Sequence, residues 1–126
     1  MRLQSSKKFL VLALALALGT AGCASSGGGG SRPAGASSNR IVQAELEALP
    51  QMNALLAIER LRAQWLRTRS GDPPQLYVDG ARRGNIQNLT SILTTEIGQI
   101  EYVSASDATN RFGTGHAGGA ILVTSR

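Results

Sequence analysis

Cys23 and His116 each occur once in this chain of 126 residues. A thiol can serve as nucleophile, metal ligand or attachment point, and an imidazole can move a proton or bind a metal. His116 lies in the glycine-rich stretch "TGHAGG". Spacing suggests no Ser or Cys partner for it, and a metal site would need several ligands. It reads as an exposed loop histidine or as a contact to a ligand. Asp79 and Glu101 are the carboxylates a paired acid–base reading would use. However, Asp79 precedes Gly80 as a natural turn residue, and Glu101 alternates outward on its strand. No nucleophile–base constellation stands out, so no catalytic residue, cofactor or metal is assigned. Arg60, Arg62, Arg67 and Arg69 cluster around a helix end, with Arg82 and Arg83 on a hairpin. They are either a solvated face, favoured near a helix C-terminus by the macrodipole, or a patch for anionic lipopolysaccharide, phospholipid or an acidic partner.

Charge narrows the class of partner. The formal net charge is +5, from 13 basic and 8 acidic residues. Three of the basic residues, Arg2, Lys7 and Lys8, fall in residues 1–22 and none of the acidic ones does. The remainder therefore carries ten against eight, or +2. A single Trp and two Tyr on so weakly basic a chain argue against nucleic-acid binding.

Residues 1–22 have the three parts of a secretory signal: a basic start, an apolar run from Phe9 to Leu18, and small residues before Cys23. The run is about half of the roughly 20 residues that span a bilayer. One cysteine forms no intrachain disulfide and calls for another explanation. Thr20-Ala21-Gly22-Cys23 resembles the lipobox of bacterial lipoproteins, with Thr20 where Leu is more usual. The resemblance implies cleavage after Gly22 and lipid attachment to Cys23, which is then an anchor. Ala24 replaces the Asp that often marks inner-membrane retention, which implies the outer membrane, facing the periplasm. Residues 24–38, "ASSGGGGSRPAGASS", read as a Gly/Ser-rich tether. Such a linker has an r.m.s. reach of roughly 20 Å.

The folded part is expected from Asn39 to Arg126. Ile41 and Val42 suggest a short strand, and "AELEAL" a helical turn or two stopped by Pro50. Ala54, Ile58, Leu61 and Trp65 then recur four, three and four apart, the apolar face of a helix. Gln51, Ala57, Arg60 and Gln64 fall away from it. Trp65 reads as core rather than as a ligand platform. "QLYVDGARRG" predicts a hairpin turning at Asp79-Gly80. A loop or short helical segment carries Leu89, Ile92 and Leu93, and a strand covers Ile100 to Val103. "SDATNRFG" predicts a short helix with Ser106 as N-cap and Gly113 in the left-handed position past its end. "AILVT" is a continuous apolar run, as in a strand covered on both faces. The class is α+β, a small mixed sheet with short helices.

"YVDGARRG" and then "IEYVSASDATNRFGTGHAGGAILVTS" resemble, over Leu76 to Ser125, the plug domain of TonB-dependent outer-membrane receptors. That family's pattern is a V-x-D-G hairpin, an I-E-x-[VI] strand, a short helix ending in [YF]-G, and a G-x-x-A-G-G-x-I-x-[VI]-x-[TS] close. The resemblance implies a plug-like domain over 39–126. A membrane barrel would need at least eight strands of about ten residues, for which the sequence has no room, and the tether shows no convincing TonB box. The expectation is therefore a stand-alone plug-like domain on a lipoprotein. Gly113, Gly115, Gly118 and Gly119 would let the backbone turn sharply into the last strand. A phosphate-cradling loop would stand before a helix instead. The implied function is a non-catalytic interaction module, held to the membrane by its lipid and docking to an outer-membrane barrel or other envelope protein. Arg82, Arg83, Thr114 and His116 form the candidate surface. The alternative is a periplasmic small-ligand or glycan binder.

Overall fold

A computed structural model describes residues 31–67 and 71–126. The signal segment, Cys23, the tether up to residue 30, and Arg69 lie outside the described residues. The fold is α+β. In chain order it runs β1 (Arg40–Val42), α1 (Gln43–Glu47), α2 (Ala54–Arg62), a 3₁₀ turn (Ala63–Leu66), β2 (Gln75–Val78) and β3 (Ala81–Asn85). Two further 3₁₀ segments (Ile86–Ser91 and Thr94–Glu96) lead to β4 (Ile97–Val103), α3 (Ala105–Phe112) and β5 (Ala120–Ser125).

The five strands form one sheet in the order β1-β4-β5-β2-β3. β2 runs parallel to β5, and every other neighbouring pair is antiparallel. The apolar run of β5 is thus the central strand. Ile121 and Val123 face one way, into a core with Ile41, Ile58, Trp65, Leu76, Leu89 and Ile100. Ala120 and Leu122 face the other way, against Tyr77, Val103, Ala108 and Phe112. Period-two alternation divides one short strand between two cores: α2 covers the first and α3 the second.

The hairpin turns at Asp79 (φ 48°) and Gly80 (φ 81°). Both residues are left-handed, the geometry of the type I′ turn that an Asp-Gly pair favours. The Asp79 carboxylate accepts from the Ser125 amide at 2.8 Å and from its hydroxyl at 2.7 Å, tying the turn to the end of β5. At the other end of β5, Gly119 lies so close to β4 that an added Cβ would sit 2.5 Å from the Val103 carbonyl. A Cβ on Gly118 would run into the backbone of Asp72 and Pro73. The glycine pair is required by this close approach of backbone to backbone.

Three local expectations are corrected. The buried stripe of α2 includes Ala57, which the spacing put on the outer side, whereas Leu61 is only half buried. The 3₁₀ segment Ile86–Ser91 flanks the helix and widens its covered face, and the tighter turn at Ala63 keeps Trp65 inward. The N-cap of α3 is Ser104, not Ser106: its hydroxyl accepts from the Asp107 amide at 3.3 Å and donates to the Asp107 carboxylate at 2.8 Å. Gly113 closes α3 at φ 91° and ψ −169°, a glycine conformation but not the left-handed helical one.

Candidate functional site

β3 supplies both arginines expected on the docking surface, and a bulge against β2 separates them. Tyr77 pairs with Arg82 and Leu76 with Gly84, which leaves Arg83 as the extra residue. The Arg82 guanidinium donates to the Gln75 side chain at 3.0 Å, on the Tyr77 side of the sheet. Arg83 instead borders a cleft of about 450 Å³ with Leu76, Val78 and Ile92, whose side chains belong to the α2 side. Thr114 is exposed in the loop before β5. The Gln75 amide donates to Gly119 at the end of that same loop. The Arg82 backbone lies near the hairpin tip, opposite Tyr77, and its guanidinium reaches along β2 to Gln75, towards the end of the sheet where the glycine-rich loop enters β5.

His116 is not an exposed loop residue; it is 2% exposed. Its Nδ1 lies 2.8 Å from the Gly113 carbonyl, which can only accept, so Nδ1 carries the proton. Nε2 then accepts from the Tyr77 hydroxyl at 2.8 Å. Phe112 stacks on Tyr77 with ring centroids 4.3 Å apart, and His116 packs 5.7 Å from Phe112. The imidazole thus closes the glycine-rich loop over the α3 core and offers no nitrogen to a ligand. Nothing in the spacing of His116 and Tyr77, 39 residues apart, marks this pair in the sequence.

The arginine cluster also divides. Arg60 and Arg67 are exposed, but Arg62 is buried at 4% exposure. Its guanidinium donates to the Ser37 carbonyl at 3.0 and 3.1 Å, to the Leu61 carbonyl at 2.9 Å and to the Glu45 carboxylate at 2.9 Å. Neither the solvated face nor the anionic-ligand patch describes it. Arg62 is a structural clasp between α2, α1 and the turn before β1. Trp65 is core, as its spacing implies: it stacks on Tyr102 and donates its Nε1–H to the Ser38 carbonyl at 2.9 Å. The body's hydrogen bonds therefore reach back to Ser37 and Ser38, two residues inside the expected tether.

The two carboxylates stay apart. Glu101 on β4 faces Arg40 across the strand pair at 3.8 Å, and Asp79 is held by Ser125, with β5 between them. Ser125's hydroxyl and amide pull the Asp79 carboxyl below its ordinary value, and the Arg83 charge adds to this against a desolvation push upward. Among the described residues no group of three or more His, Cys, Asp or Glu could hold a metal ion, and no helix is long and apolar enough to cross a membrane. The larger cleft, of about 480 Å³, opens between the turn before β1, the 3₁₀ turn after α2, Tyr102 and the glycine-rich loop. Comparison of the chain with protein-family models, with curated proteins and with solved structures gives no match.

Proposed function

We propose that this protein is a non-catalytic, lipid-anchored module of the bacterial envelope whose α+β body is plug-like and docks to a partner protein at the outer membrane. One observation carries the reading. The residues that resemble the plug pattern form a single interlocked unit: Asp79 of the Tyr77-Val78-Asp79-Gly80 hairpin binds Ser125 of the closing strand, and Gly119 of the A-G-G stretch lies against Val103 of the I-E-x-V strand. A motif whose parts hold one another in place is the kind that a common fold would preserve. Lipid attachment at Cys23 rests on the lipobox alone.

The docking surface is narrower than the sequence suggests, because His116 is buried and Arg83 faces another cleft. It reduces to Arg82 and Thr114 around the glycine-rich loop. In-cell crosslinking of a carboxy-terminally tagged copy, followed by mass spectrometry, tests the reading. A reproducible barrel or energy-coupling partner supports it. Arg82→Glu should reduce recovery of that partner more than Arg83→Glu, and Cys23→Ser should move the protein to the soluble periplasmic fraction. Recovery of no protein beyond those captured by an unrelated tagged lipoprotein sinks the docking reading, and a Cys23→Ser chain that is correctly processed yet still membrane-bound sinks the anchor.

A further inference from the structure

We infer that the cleft between Asn39, Gln64, Arg67 and Tyr102 is a binding site for a small anionic saccharide, a sugar ring bearing a carboxylate. The site stands on the cleft itself and does not rest on the docking reading above.

At about 480 Å³ the cleft falls within the size range of small-ligand sites, towards its lower end, which suits a mono- or disaccharide. One wall is aromatic: the half-buried Tyr102 stacks on the buried Trp65 with centroids 5.8 Å apart and planes within 18°. The Trp65 ring is itself held by its bond to the Ser38 carbonyl, which braces Tyr102. The Tyr102 hydroxyl reaches the Gly118 carbonyl only at 3.4 Å, a long bond that is easily exchanged for one to a ligand.

The polar lining supplies what that wall lacks. Asn39 and Gln64 come from different segments and both line the cleft. Each side-chain amide offers both a donor and an acceptor, the complement of neighbouring hydroxyls on a sugar ring. Arg67 is the one charged residue among the described lining residues, and no carboxylate is among them. Its planar guanidinium can bind a carboxylate through two parallel bonds. A ring face for stacking, amides for hydroxyls and a guanidinium for a carboxylate together specify a charged sugar better than a bare anion or an apolar molecule.

Trp65 is the only tryptophan and lines this cleft, so its fluorescence and its indole N–H resonance respond to occupancy there. The full chain in mild detergent is titrated with galacturonate, galactose and acetate. Galacturonate should bind saturably and shift the Trp65 signals. Galactose and acetate should each bind at least about tenfold more weakly, because galactose forgoes the charge-assisted bond to Arg67 and acetate forgoes the stacking and hydroxyl bonds of the ring. Arg67→Gln should bring galacturonate to the level of galactose without changing the unfolding midpoint. Asn39→Ala with Gln64→Ala should weaken both sugars. Equal binding of acetate and galacturonate, equal binding of the two sugars, no saturable shift, or an unaltered Arg67→Gln chain would each overturn the assignment.

Discussion

Removing the Arg62 guanidinium should cost this body more than any other single charge change. Arg62 and Glu45 bury their side chains to 5% and 9% exposure and meet at 2.9 Å. The Ser37 and Arg40 carbonyls that Arg62 also serves keep one bond each, because Ser37 and Arg40 exchange backbone hydrogen bonds at 3.0 and 3.3 Å. Glu45 retains only the Val42 amide, at 3.3 Å. Arg62→Ala therefore strands a carboxylate in a nearly dry site. Breaking a buried pair from one side costs about 3–5 kcal/mol, against a total of roughly 5–15 kcal/mol for a domain. At about 4–8 °C per kcal/mol for a body of this size, the melting temperature should fall by about 12 °C or more. Arg62→Met combined with Glu45→Leu should recover most of that loss, since no charge is then left alone. Thermal and urea unfolding followed by Trp65 fluorescence give both values. A single-variant loss below about 1 kcal/mol, or a double variant as unstable as the two losses added, would refute the argument.

The Tyr77–His116 bond and the Asp79 turn give two further tests. Tyr77→Phe preserves the stack on Phe112 but leaves His116 Nε2 buried without a donor, so it should cost about 1–3 kcal/mol in urea unfolding. A neutral result would mean that the loop is not held through this bond. Asp79 has a folded pKa below its ordinary 3.8, so its charged form contributes stability above that value and loses it as pH falls through the lower folded value. Asn tolerates the left-handed turn position. The stability gap between the native chain and Asp79→Asn should therefore be level from neutral pH down to 3.8 and close below it. A gap that persists in acid would assign the effect to turn geometry rather than to charge.

The sequence made legible those features that local chemistry decides. Asp79-Gly80 announces its turn because few other pairs accept two left-handed residues in succession. "AILVT" announces a strand covered twice. The order of elements followed, and with it the mixed sheet. What stayed hidden depends on partners distant in the chain. Arg62 reads as one more arginine near a helix end until Glu45 and Ser37 close around it, 17 and 25 residues away. Ala57 changes sides because the 3₁₀ segment Ile86–Ser91 flanks the helix. His116 looks free in its loop until Tyr77 meets it from β2. In each case periodicity reported one element's own face and was silent about a second neighbour.

The same distinction bears on function. The residues that composition marks as rare and reactive are largely consumed by packing in the described body. Trp65 is wall and core, both His116 nitrogens are engaged, and Asp79 is bound to Ser125. Recognition can draw on exposed cations and amides held on a rigid frame. Arg82, reaching towards the glycine-rich loop, and Arg67 with Asn39 and Gln64 beside the Trp65–Tyr102 wall, have that character. Gly118 borders the second of these regions, and the loop it closes borders the first. The glycine-rich loop thus borders both, and its close backbone contacts leave no room for a side chain at Gly118 or Gly119.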